Sequence, residues 1–403
     1  MESDFSLPLY SPSHPSPSYS QDPTHDETRL DLSPRVGRCL LPTGIFTKVC
    51  GSATVVLFDQ EPTARVPSYG IHGSVRGSLI LEQERSQMCE VVAKLEGRLE
   101  IATIDSGALI IKVAKITHCL WSSSSSSSAC PETVDIACDF PTTFQHNDCE
   151  YRLPPSYVAR FPGFPSLFAK CTYSLTISIT KDRQLGFLSR TKLIYVPIDY
   201  NPQTVPARGM PTSPSFLASV KIMPEEWHQN SFVVNTRSSS NLFSIHCQAF
   251  IPSVKVFGLS HTIPLHLQLC GPLSSLRELV LPSNDREECP VRVYMTRMVT
   301  FEHRGKSTWR LHRIGEGSFS PLPPMADYDC RKACNPCVET LDWNGEIKCD
   351  PAVSVGGFQA AGLTVKDFIT LEIIPPKALL SPLLSTQHVI PIRLVTETFI
   401  ELT

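Results

Sequence analysis

Apolar residues recur along this chain in short runs, either alternating with polar ones or uniformly apolar, and proline cuts the runs apart. Thr54-Val55-Val56-Leu57-Phe58 and Val291-Arg292-Val293-Tyr294-Met295 are examples. A repeat of two sends side chains to opposite faces of a strand, and an all-apolar run suits a strand buried on both faces. The pattern predicts strands at 71–81, 91–101, 169–180 and 192–196. A second series follows at 216–222, 242–251, 263–269, 291–301, 309–314, 363–374 and 388–395. The helical repeat is confined to brief stretches at 224–228 and 274–281. The chain reads as all-β.

Between the two series, residues 199–214 carry Pro202, Pro206, Pro211 and Pro214 with few large apolar side chains, the composition of a linker. The expected division is a disordered Ser/Pro-rich tail at 1–35, a first sandwich at 36–200, a hinge at 201–214 and a second sandwich at 215–403. Ser122 to Ser128 is a serine homopolymer, expected to be a floppy loop, and 315–335 reads as a Ser- and Pro-rich loop. Thirty-five prolines against twenty glycines fit loops and sheet edges, because proline cannot donate to a ladder.

Composition narrows the class. Hydrophobic residues make up 41% and charged ones 19%, a globular balance, and the net charge of −3 argues against a dedicated nucleic-acid binder. Apolar runs stay short of the roughly 20 residues of a membrane helix. The polar N-terminus lacks the basic-then-apolar order of a secretory signal. The expectation is a cytoplasmic protein whose 15 cysteines are thiols.

Taken in order, several segments resemble the arrestin superfamily, and within it the fungal arrestin-related (alpha-arrestin-like) branch. They are Ile71-His72-Gly73-Ser74-Val75-Arg76-Gly77-Ser78-Leu79-Ile80-Leu81, Leu95-Glu96-Gly97-Arg98, Phe140-Pro141-Thr142-Thr143-Phe144 and Leu153-Pro154-Pro155-Ser156-Tyr157. In the second half they are Leu341-Asp342-Trp343-Asn344-Gly345-Glu346-Ile347 and His388-Val389-Ile390-Pro391-Ile392-Arg393-Leu394-Val395. The resemblance covers roughly 40–400. It implies two consecutive immunoglobulin-like sandwiches of arrestin type joined by a short hinge. It also implies an adaptor that binds cytosolic tails of membrane proteins and links them to WW-domain HECT ubiquitin ligases or coat proteins, with no catalytic residues and no cofactor. Family adaptors carry Pro-Pro-x-Tyr motifs after the second sandwich. Here Thr403 follows the last predicted strand closely, so recruitment is expected from the N-terminal tail or from within the fold.

Pro154-Pro155-Ser156-Tyr157 matches that motif, which a WW domain reads as a polyproline helix with an aromatic anchor. The competing reading places Tyr157 in the sandwich core. Leu7-Pro8-Leu9-Tyr10 and Ser16-Pro17-Ser18-Tyr19 are degenerate copies in the tail, flanked by Ser-Pro sites whose phosphorylation would switch docking. Pro8, Tyr10, Pro17 and Tyr19 are therefore the first candidates, against an ordinary Ser/Pro/Tyr-rich tail.

Arg304, Lys306, Arg310 and Arg313 form a basic hairpin around a glycine turn, suited to acidic tails or, as a peripheral membrane contact, to anionic headgroups. The alternative is a solvated hairpin. Cys330, Cys334 and Cys337, with Cys349 following, supply enough thiolates for a tetrahedral metal, against free loop thiols. No zinc is expected. Alternatives to the adaptor are a coat-type sorting subunit resembling the retromer's arrestin-like component, and a metal-dependent or degenerate enzyme.

Overall fold

A computed structural model describes residues 43–82, 85–104, 107–125, 129–182, 190–210, 216–280, 290–322, 338–376 and 378–397. Up to Tyr200 the strands are β1 (Gly44–Cys50), β2 (Ala53–Gln60), β3 (Ser68–Tyr69), β4 (Ser74–Leu81), β5 (Met88–Thr103) and β6 (Gly107–Ser122). They continue with β7 (Thr133–Asp139), β8 (Thr143–His146), β9 (Cys149–Arg152), β10 (Tyr157–Phe161), β11 (Leu167–Lys181) and β12 (Arg190–Tyr200). One sheet has the order β1-β2-β4-β7 and the facing sheet the order β3-β12-β11-β5-β6. β10 pairs with the start of β11 and β12 with its remainder, so the two lie end to end along one edge of it.

Strict alternation makes this sandwich. Leu167, Ala169, Cys171, Tyr173, Leu175, Ile177 and Ile179 point inward from β11. They meet Leu95, Leu99 and Ile101 of β5 on the same sheet, and Val55, Leu57, Val75 and Leu79 from the opposite one. Burying each large aliphatic side chain contributes about 1.5–3 kcal/mol.

From Phe216 onward come α1 (Phe216–Ser219), β13 (Trp227–Val234), β14 (Ile245–Pro252), β15 (Val256–Gly258), β16 (Thr262–Pro272), α2 (Leu273–Val280) and β17 (Val291–His303). The remaining strands are β18 (Lys306–Pro321), β19 (Val338–Cys349), β20 (Gln359–Ala360), β21 (Leu363–Ile373) and β22 (Thr386–Val395). They form one sheet, β13-β14-β16-β19-β18-β17-β21-β22-β15, which folds back on itself around a single core. Its far ends meet: the Phe232 ring stacks on His388, 4.6 Å between centroids. The molecule is thus all-β and built of two consecutive sandwiches.

Four local expectations are corrected. The run 216–222 is not a strand: the Val220 N–H donates to the Phe216 carbonyl, closing one helical turn. That turn delivers the Phe216 ring between Trp227 and His266. Strand β18 continues to Pro321, well into the span expected as a loop. In it Gly315 and Gly317 permit close approach of β19. A Cβ at either position would lie 2.2 Å from the Lys348 carbonyl oxygen or 2.4 Å from that of Glu346. The expected helix at 224–228 is a single tight turn at Pro224–Glu226. Of the serine run, Ser122 ends β6 and the Ser125 N–H bonds back to its carbonyl, while 126–128 lie outside the described residues.

Candidate functional site

Where the two sandwiches meet, the first core takes in Val299, Phe301, Leu363 and Val365 from the second half. Into this apolar seam β17 and β21 send one charge each. Their antiparallel register sets Arg297 opposite Asp367, and both point inward. Arg297 Nε donates to Asp367 Oδ1 at 2.7 Å and Nη2 to Oδ2 at 3.2 Å. Nη2 also donates to the Val355 carbonyl at 2.8 Å. With Arg297 3% and Asp367 1% exposed, the pair is held almost without water. Bidentate geometry and a third acceptor are what allow such a pair to offset its desolvation.

Three further side chains surround it. His312 lies opposite Arg297 in the β17–β18 ladder, its ring 5.2 Å from that of Phe161 across the seam. Its Nδ1 is buried without a hydrogen bond. Burial, reinforced by the Arg297 charge, holds its pKa below the ordinary 6.5, against a smaller opposing pull from Asp367. Tyr157 stands edge-on to Phe358, centroids 5.1 Å apart, and burial pushes its hydroxyl up to about 12. Cys349 donates from Sγ to the Ile314 carbonyl, and burial raises its thiol to about 11.

Beside the pair a cleft of about 910 Å³ opens between the sandwiches, lined by Val158, Arg160, Lys170, Tyr195, His312 and Val353 among others. Val158 and Tyr195 are exposed at 63% and 55%. The walls combine apolar strand edges with basic side chains. Arg297 is neutralised by its partner, and the Cys349 thiol is held in its neutral form. The ion pair joins two neighbouring strands of the second sandwich and the Val355 loop, while the Tyr157–Phe358 and Phe161–His312 ring contacts join the two sandwiches and leave a mixed groove beside them.

The sequence candidates are distributed differently from the single patches expected. Pro154, Pro155 and Tyr157 are all buried. The Tyr173 hydroxyl donates to the Pro154 carbonyl, and Ser156 exchanges hydrogen bonds with the Tyr200 backbone. A WW domain would have to unpick the sandwich to reach this segment, so in this fold it serves as a strut. The basic hairpin turns at Arg304 and Gly305, both with positive φ, as a two-residue turn requires. Its charges do not share one face: Arg310 pairs opposite the buried Val299, whereas Arg313 pairs with Thr296 on the other side. Arg313 lies over the Tyr294 ring and bonds Glu316 at 2.9 Å. Pro8, Tyr10, Pro17, Tyr19, Cys330, Cys334 and Cys337 lie outside the described residues. Arg297 and Asp367 escaped sequence reading, although a charged residue at the inward phase of an apolar alternation is a visible signal.

No family model matches this chain, and no curated protein does. Among solved structures it is similar to the crystal structure of Spo0M, a sporulation control protein from Bacillus subtilis. The identity is 10% over 66% of this chain and 91% of that one, with a TM-score of 0.18, too low to carry an argument. Fold and seam therefore define the class: an all-β protein of two packed sandwiches.

Proposed function

We propose that this chain is an arrestin-like adaptor, working by binding rather than catalysis at the cytosolic face of membranes. It holds the cytosolic tail of a membrane protein and links it to ubiquitination or endocytic trafficking. The observation that carries this reading is the pair of sandwiches packed through a shared apolar seam, with a mixed apolar and basic groove beside it. The order of arrestin-like segments along the sequence agrees with it. Since Pro154-Pro155-Ser156-Tyr157 is locked in the fold, ligase recruitment is assigned to Pro8, Tyr10, Pro17 and Tyr19.

The test is a pull-down with purified WW domains of HECT-type ubiquitin ligases, comparing the full chain with a Tyr10→Ala/Tyr19→Ala variant. Binding by the full chain that is lost in the variant supports the proposal. No binding by either protein would remove the ligase link and leave a coat-type sorting role as the better reading.

A further inference from the structure

The outer face of the strand group β18-β17-β21-β22 is open and unusually apolar. Cross-strand registers arrange it in rows. Trp309 sits beside Thr300 and Thr364, and Leu311 beside Met298 and Lys366. Arg313 sits beside Thr296, Phe368 and Pro391, and Tyr294 beside Thr370 and Val389. Side-chain contacts confirm the common face: Thr296 and Thr370 hydroxyls are 3.0 Å apart, and Gln387 donates to the Tyr294 hydroxyl at 2.8 Å.

Trp309 is 54% exposed, Leu311 51% and Val389 46%. Outward-facing strand positions are normally polar, so this run of apolar side chains calls for a covering surface. Cations outnumber acids along it: Lys366 and Arg393 stand exposed on the face with Arg304 at the hairpin tip, against Glu302 near that tip and Glu372 opposite Arg292. The nearest acid on β18, Glu316, is already bonded to Arg313.

We infer that this face docks on an anionic lipid bilayer. Trp309 would lie at the headgroup level, with Leu311 and Val389 beneath it and Lys366, Arg393 and the hairpin tip against lipid phosphates and carboxylates. Indole and basic side chains are the groups that favour a membrane interface, and each cation near an anionic surface adds to the attraction. An extended sheet face matches a planar partner better than a single peptide. The inference stands on this face alone and is independent of ligase recruitment.

Sedimentation of the full chain with phosphatidylserine-rich vesicles and with pure phosphatidylcholine vesicles tests it. Quenching of tryptophan fluorescence by brominated lipid serves as a second readout. Trp227 and Trp343 are buried and Trp121 half-buried, so Trp309 is the indole that lipid should reach. Binding is expected on anionic vesicles, weakened by salt, with quenching that disappears in Trp309→Phe. Lys366→Glu/Arg393→Glu should lower the affinity at least tenfold.

A control replaces Leu379 and Leu380 by serine. They are 91% and 83% exposed on a separate loop that Arg237 holds through the Ala378, Leu379 and Ser381 carbonyls. This variant should bind vesicles normally. Three results would overturn the inference: no binding at low salt, binding indifferent to the Lys366 and Arg393 changes, or loss of binding only with the Leu379 and Leu380 changes. A vesicle-free dimer dispersed by Trp309→Ala would also overturn it, by assigning the face to a second copy.

Discussion

At the scale of residues, the charged centre beside the seam is two side chains that face each other across one rung of the β17–β21 ladder. An isolated charge at the position of Arg297 or Asp367 would be untenable; together they share two hydrogen bonds and hand a third to Val355. The expected consequence is strong non-additivity. Arg297→Met leaves Asp367 buried and unpaired, and Asp367→Leu does the converse, so each should cost about 3–5 kcal/mol. The double replacement should cost clearly less than either single change. Urea unfolding of the four proteins measures this, and additive losses would mean that the pair is not a closed unit. The signal was present in the sequence, since each residue interrupts an apolar phase, but nothing local says that the two interruptions meet.

At the scale of elements, period-two alternation was legible and its interruptions were misread. The 169–180 strand emerged as β11 with inward and outward positions as the pattern implies. β6 and β13 went unseen because their alternation is diluted by polar and half-buried residues. β18 runs past Ile314, and its end, Gly315 to Pro321, reads as a Ser- and Pro-rich loop until β19 is in place beside it. Gly315 and Gly317 lie where β18 leaves β17 for β19, carrying the sheet from one layer to the other. Gly317→Ala should therefore force β18 away from Glu346 and Ile347 and destabilise the second sandwich by about 1–3 kcal/mol. Gly305→Asn, at a positive-φ turn with open space around it, should be far milder. Thermal unfolding of the two variants makes the comparison, and equal losses would refute the close-approach account.

At the scale of the whole molecule, stability should depend on pH in a defined direction. Burial depresses the pKa of His312, His228, His261 and His388. The unfolded chain then binds protons near pH 6.5 that the folded chain refuses, so this stability is complete above that value and is lost as pH falls toward the folded pKa values. The thermal midpoint is expected to drop between about pH 7.5 and about pH 5. His312→Gln should flatten that drop, because His312 is the histidine beside the Arg297 charge. A slope unchanged by the substitution would show that the seam does not contribute.

The sequence alone determined the kind of element and the side each residue faces, because both follow from the two-residue repeat of an extended backbone. Only the tertiary structure decided that Tyr157 is a strut and that Arg297 finds Asp367 seventy positions away. Those outcomes depend on strand register and on how the sheets close. Register is set by the sum of many cross-strand contacts between distant segments, and no window of neighbouring residues contains that sum.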